Sequence, residues 1–171
     1  MDPLIPTNQP APAFSLPDLA GKNHALQDYL GQIVILNFWS AECPWAERAD
    51  QGLLVALETW PEKVNLLPVA ANANEPLELL ARVARERQLP LLLLDKTQLV
   101  ARMYRAFTTP HIFLIDREGI LRYQGAYDDM TFRKRRPTKN YALEAVDALL
   151  RGEQPDPPET QPYGCTLVWQ E

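Results

Sequence analysis

The chain has 171 residues, with 17 basic against 22 acidic side chains, a formal charge of −5 and two cysteines. Its length suits one domain with extensions that buries its own core without disulfide staples, and its acidic balance argues against an extended nucleic-acid footprint. Cysteines at 43 and 165 are too few and too far apart for a disulfide framework, and two histidines without a cluster of other ligands argue against a metal, so no cofactor is expected.

The opening stretch, MDPLIPTNQPAPAF, has neither a basic start nor an apolar core, and no later stretch is apolar enough to span a membrane. A soluble, cytoplasmic chain without a membrane partner is the expectation. Pro3, Pro6, Pro10 and Pro12 make residues 1–13 an extended arm on the surface. The domain proper covers residues 14–152. Its first part, FSLPDLAGKNHALQDYL, reads as two short strands about a turn at residues 18–23, with His24 at a surface or edge position and not in a ligand set.

The run IVILNFW, residues 33–39, is β-branched and apolar throughout and reads as a fully buried strand. Ser40, Ala41 and Glu42 lead from it to Cys43 and Pro44. Pro44 suits the first helical position, because its missing N–H would have had no intrahelical partner, and residues 45–60 carry a helix-compatible pattern. Cys43 therefore stands at a strand-to-helix junction, facing the positive end of a helix dipole that favours the thiolate. A buried small hydrophobe is the plainer use of a free cysteine, and both readings are open at this point. Trp39 reads as core, and Trp45 as an apolar contact exposed beside the thiol.

Residues 64–70 (VNLLPVA) read as a second buried strand, in which Pro68 implies an edge or an irregularity. Residues 76–88 form a helix with Leu77, Leu80, Val83 and Ala84 on its buried face and Glu78, Arg82, Arg85 and Arg87 directed into solvent. Residues 91–94 are a short apolar strand and residues 98–106 a short helix. After Thr109-Pro110, residues 111–116 (HIFLID) and 120–125 (ILRYQG) pair about Arg117-Glu118-Gly119 as a hairpin. His111 reads as a packed strand residue in preference to a catalytic base. Residues 127–138 are a charged loop whose one basic run, Arg133-Lys134-Arg135-Arg136, reads as a solvated face, with an anionic partner as the sharper alternative. Thr138 is placed to cap a last helix that buries Leu143, Val146, Leu149 and Leu150 and stops at Gly152. Residues 153–171 are a Pro-rich linker and tail carrying Cys165. The alternation implies an α/β chain with parallel pairing and right-handed crossovers, and the closing hairpin adds antiparallel strands, giving a mixed central sheet with helices on both faces.

That order, with the wording of four motifs, resembles the thioredoxin-like fold, a three-layer α/β/α arrangement, and more narrowly its redoxin branch, the alkyl hydroperoxide reductase/thiol-specific antioxidant proteins. FSLPD with Gly21-Lys22 resembles the N-terminal β-hairpin of that family, and Asn37-Phe38-Trp39 with Cys43-Pro44 its active-site strand and helix start. Thr109-Pro110 resembles the cis-proline loop, and FLIDREGILRYQGAYDD the hairpin after it. The C-terminal tail extension, with its Gly-Cys-Thr-Leu-Val-Trp, resembles a subgroup that has one active-site Cys and a C-terminal Gly-Cys. The resemblance implies Cys43 as nucleophile and Cys165 as the candidate resolving thiol. It also implies Pro44, Trp45, Thr109 and Pro110 as the substrate-binding surface, the cis bond exposing backbone for pairing with an extended substrate chain. A bond between the two cysteines would close a loop of roughly 120 residues and stabilise by about 4–5 kcal/mol through the unfolded chain, less any strain.

The departures from the family define the open questions. Ala46 replaces the second thiol of the Cys-x-x-Cys pattern, so local resolution of a mixed disulfide is impossible. Glu42 before the nucleophile works against the helix dipole, and Arg48 is near enough in sequence to offset it. Asn37 falls where thioredoxin has a buried acid and cannot accept a proton, so no internal general base is assigned. Ser40 fits the hydroxyl of a peroxidase site, but Leu36 and Pro110 stand where its proline and arginine would be. Three readings follow: a thiol-disulfide oxidoreductase acting on protein or small-molecule thiols and disulfides, a thiol peroxidase acting on peroxide, and a non-catalytic binding module.

Overall fold

The computed structural model describes residues 3–171. Strands β1 (Ser15–Pro17) and β2 (Asn23–Ala25) close a hairpin at Asp18, whose carboxylate accepts hydrogen bonds from the Ala20 and Lys22 amides. His24 lies between Asp18 and Tyr29, 2.8 and 2.9 Å away, as a partnered hairpin residue. A 3-10 turn, Leu26–Tyr29, leads into β3 (Ile33–Trp39).

Every residue of β3 is buried because both of its edges and both of its faces are covered, which is why its sequence is continuously apolar and does not alternate. It pairs in parallel with β4 (Val64–Ala70), from Ile33 opposite Val64 to Trp39 opposite Ala70, and antiparallel with β7 (His111–Ile115). The short β5 (Leu93–Leu94) extends the parallel side and β8 (Leu121–Gly125) the antiparallel side, so the sheet order is β5-β4-β3-β7-β8. Ile33 and Ile35 pack with Ala49 and Leu53 of helix α1 (Pro44–Thr59) and with Ala145, Val146 and Leu149 of helix α4 (Tyr141–Leu150). Helix α2 (Leu77–Glu86) packs against Trp39 and Ala70 through Leu80, Val83 and Ala84. The opposite face, with Val34, Leu36 and Phe38, receives Val100 and Ala101 of helix α3 (Leu99–Met103) and the N-terminal hairpin. Helices thus lie on both faces of a mixed sheet, as the element order implies.

Packing bears out one local expectation, an edge at Pro68, and corrects others. Pro68 lies inside a buried strand; Ala70 gives its carbonyl to Asp95 on the β5 side, so Pro68, two residues earlier, faces the same side below the point where β5 begins. Its missing N–H costs no ladder bond. Leu77, at the first residue of α2, is exposed, and Arg87 is folded inward, not into solvent. Asn140, not Thr138, caps α4 by accepting from the Leu143 amide, while Thr138 donates to Asp129.

Both chain extensions are docked. Beyond residues 1–2, which lie outside the described residues, the arm pairs with the β8 region through Asn8, Gln9 and Ala11 and buries Ile5, so it is part of the fold more than a surface strap. The linker bonds to Gln124 from the carbonyl of Pro158 and the amide of Thr160. Together they cover the free edge of β8, which would otherwise invite pairing with another chain.

His111 is fully buried, stacked on Phe113 with centroids 4.3 Å apart, and neither ring nitrogen has a hydrogen-bond partner among the described residues. Burial pushes its pKa down to about 3, with Gln124 opposing only in part. The unfolded chain therefore takes up this proton first, and stability falls as the pH drops below about 6.5. Between pH 7 and pH 5 the loss from this ring is about 2 kcal/mol. His111→Phe should remove that increment, read as the change in urea midpoint between the two pH values relative to the parent chain; an identical acid loss in both proteins would refute it.

Candidate active site

Cys43 is the N-cap of α1, with extended backbone angles, Pro44 at the first helical position and its own carbonyl accepting from the Glu47 amide at 3.0 Å. The loop before it is held from two sides. Glu75 accepts from the Ser40 hydroxyl at 2.7 Å and from the Ala41 and Glu42 amides at 3.2 and 3.1 Å. Arg87 donates to the Ser40 and Ala41 carbonyls at 3.2 and 2.7 Å. One carboxylate thus gathers the loop N–H groups and one guanidinium its C=O groups, which satisfies a buried turn that has no secondary structure of its own. Arg87 continues to Asp50 at 3.2 Å, and Asp50 also accepts from the Trp39 indole at 2.6 Å. Burial of Asp50 raises its pKa to about 6 against the opposing pull of Trp39 and Arg87.

The second half of the site comes from the tail. Strand β6 (Thr108–Thr109) pairs antiparallel with β9 (Cys165–Thr166), Thr109 opposite Cys165 and Thr108 opposite Thr166. The Thr109-Pro110 bond is cis, as the resemblance implies. Cys43 and Cys165 form a disulfide with Cα atoms 6.1 Å apart, and the Cys43 sulfur lies 3.1 Å from the Thr109 carbonyl oxygen. In the reduced chain that oxygen is placed to accept from the thiol. Beyond Cys165, Leu167 is buried in the core, and the Val168 carbonyl accepts from the Gln98 side chain and the Ala73 amide. Gln98 also accepts from the Gln170 amide, and Trp169 lies under the Arg102 guanidinium at 4.7 Å.

The structure therefore joins Cys43, Thr109, Pro110 and Cys165, while Pro44 stays exposed at the helix start. Trp45 is not a free contact: Tyr163 of the tail packs edge-on against it, centroids 5.0 Å apart. Arg48 does not offset Glu42, because it turns to Asp128 and lies over Tyr127. Ala46 and Asn37 are fully buried, and Ser40 is engaged with Glu75. Glu75, Arg87, Asp50 and Gln98 were not singled out as site residues from sequence. Arg87 follows the last residue of α2, so helical periodicity no longer sets its direction. Glu75 stands in a polar loop, with Pro76 after it as its only local signal.

These features define a thioredoxin-like redoxin in which a helix-start cysteine is bonded to a cysteine in the C-terminal tail. The chain belongs to the AhpC/TSA family, whose sequence model matches residues 7–124. It is 32% identical over 112 residues to the thiol-disulfide oxidoreductase ResA of Geobacillus thermodenitrificans, the match covering 64% of this chain and 63% of that protein. A crystal structure of an uncharacterized conserved protein from Geobacillus kaustophilus superposes with a TM-score of 0.85 at 27% identity, over 99% of this chain and 98% of that one. The thioredoxin domain of a thiol-disulfide oxidoreductase from Bacteroides vulgatus shares the fold, with a TM-score of 0.63 at 24% identity over 77% of this chain and 93% of that one.

Removing Arg87 strands Asp50 and two loop carbonyls, so Arg87→Ala should cost about 3 kcal/mol at pH 8. A carboxyl whose folded pKa is raised loses stability as pH rises through that value, and without its cation the value rises further. The penalty should therefore be smaller at pH 5, and Asp50→Asn in the same chain should recover part of it. Denaturant unfolding at the two pH values checks both; a pH-independent penalty would contradict the charge-based account.

Proposed function

We propose that this chain is a thiol-disulfide oxidoreductase with Cys43 as nucleophile and Cys165 as resolving thiol. The observation that carries this reading is the bond between them, set in register with the strand pair at the cis-proline loop. Relatives named as thiol-disulfide oxidoreductases support the reaction class.

In the reduced chain the Cys43 thiolate is favoured by the unpaired N–H groups of the first turn of α1. It attacks one sulfur of a substrate disulfide, forming a mixed disulfide and expelling the other sulfur as a thiolate. The Cys165 thiolate then attacks the Cys43 sulfur, the substrate leaves as a dithiol, and the chain ends with the Cys43–Cys165 bond. The tail thus does from 122 residues away what the missing thiol at Ala46 would have done locally. An extended substrate pairing at Thr109 takes the place that Cys165 and Thr166 occupy in the oxidised chain. The linker is held at Thr160 and the tail end at Leu167, so residues 161–166 are the length that has to shift.

Regeneration runs the other way. Cys43 is only 2% exposed, while Cys165 is half-buried, so an incoming thiolate reaches the Cys165 sulfur and Cys43 departs as the helix-stabilised thiolate. With a model protein disulfide as substrate, Cys165→Ser should accumulate a mixed disulfide on Cys43, visible by mass spectrometry, and Cys43→Ser should abolish turnover. Two free thiols in the parent chain under conditions that oxidise an ordinary dithiol enzyme would overturn the paired mechanism.

A further inference from the structure

We propose that the loop from Phe132 to Arg136, together with Tyr163, is the docking surface for an acidic protein dithiol that reduces the Cys43–Cys165 bond. The proposal rests on the oxidoreductase reading above and names the partner of that site.

Phe132 is the most exposed large apolar side chain among the described residues, at 74%. Its amide donates to the Tyr163 hydroxyl at 2.7 Å, and the Tyr163 ring packs on Trp45. Tyr163 is two residues from Cys165 and Trp45 two residues from Cys43, so the Phe132 backbone is tied through the Tyr163 hydroxyl to an aromatic pair that borders both halves of the disulfide. The loop is built, not loose. Asp129 accepts from the Thr138 hydroxyl at 2.6 Å and from the Thr138 amide at 2.8 Å, and pairs with Lys134 at 2.5 Å. The Thr131 hydroxyl accepts from the Lys134 amide at 3.0 Å.

Lys134 is neutralised by that contact, but Arg133, Arg135 and Arg136 are exposed and none of them pairs with a carboxylate among the described residues. Arg135 lies over the Phe132 ring at 5.9 Å. Three exposed guanidinium groups without a carboxylate partner among the described residues, one of them over an exposed ring, on a chain of net charge −5, make a local field that attracts an acidic protein surface with an apolar centre. The bond to be reduced needs two electrons, which a dithiol supplies. One thiolate of the partner attacks the Cys165 sulfur, the Cys43–Cys165 bond breaks, and Cys43 leaves as a thiolate. The partner's second thiolate attacks its own bonded sulfur, closes the partner's disulfide and releases the Cys165 thiolate, which takes up a proton.

The test reduces the oxidised full chain with three donors and follows thiol release by alkylation mass shift. The donors are dithiothreitol and two synthetic peptides with one shared Cys-x-x-Cys core, flanked by glutamates in one and lysines in the other. At low salt the acidic peptide should be faster than the basic one by about 10-fold or more. At about 0.5 M salt, where screening acts within a few Å, the gap should close. Arg133→Glu/Arg135→Glu/Arg136→Glu should reverse the preference and Phe132→Ala should slow the acidic peptide, while dithiothreitol reduces every folded variant at the parent rate. Equal peptide rates at low salt, or a gap that survives the triple variant, would overturn the proposal. So would salt-sensitive binding of the loop to anionic phosphatidylserine vesicles without any effect on reduction. Absence of a reducible Cys43–Cys165 bond would show instead as failure with dithiothreitol, and would bring down the oxidoreductase reading and this one together.

Discussion

Where the tail crosses the cis-proline loop, a Cβ on residue 164 would stand 2.2 Å from the Thr109 carbonyl oxygen and 3.0 Å from the Pro110 Cδ. Only glycine allows backbone to approach backbone that closely, and the approach sets Cys165 opposite Thr109 and within bonding distance of Cys43. The pairing of β9 with β6, the anchoring of Leu167 and the closure of the disulfide all depend on this contact. It also gives the Gly-Cys pair a physical meaning: the cysteine supplies the sulfur, and the glycine supplies the space in which it can be used.

On the other side of Cys43 the constraint is electrostatic. The loop of Ser40, Ala41 and Glu42 leaves a buried strand and enters a helix, so its amides and carbonyls lie outside both hydrogen-bond ladders. Glu75 and Arg87 take them up, and Arg87 further neutralises Asp50, which Trp39 also contacts. Burying such charges is costly alone and is offset here because each meets an opposite charge or a backbone dipole. The result is a cysteine held at a helix start by groups drawn from β3, α1, the loop before α2 and the residue after it.

The tail carries one half of the disulfide and is also a part of the fold. Its end is fixed by Leu167, by the Gln98 side chain and by Arg102 over Trp169, and its beginning by the linker along β8. Between those anchors the only covalent hold is the disulfide itself. Chemistry at the site and order in this short segment are therefore coupled, since breaking the bond leaves only the two-residue pairing of β6 with β9 and the contacts of Tyr163 with Trp45 and the Phe132 amide to hold the segment.

Much of this was legible in the sequence because it depends on neighbours along the chain. The buried run at β3, Pro44 after Cys43, the hairpin turns and the alternation of strand and helix patterns are local, and they determined the fold class and the helix-start cysteine, while the cis-proline loop was implied by the family resemblance. What depended on residues far apart was not legible. Periodicity sent Arg87 to solvent, but it lies beyond the end of α2 and turns back to the active-site loop. Trp45 looked free until Tyr163 covered it, and the arm looked superficial until Ile5 entered the core. The sequence by itself determined that two thiols exist and that one stands at a helix N-terminus. Only the tertiary structure decided that they meet, because their meeting depends on where a proline-rich tail is laid down by hydrogen bonds to β8 and by a gap that a single side chain would have closed.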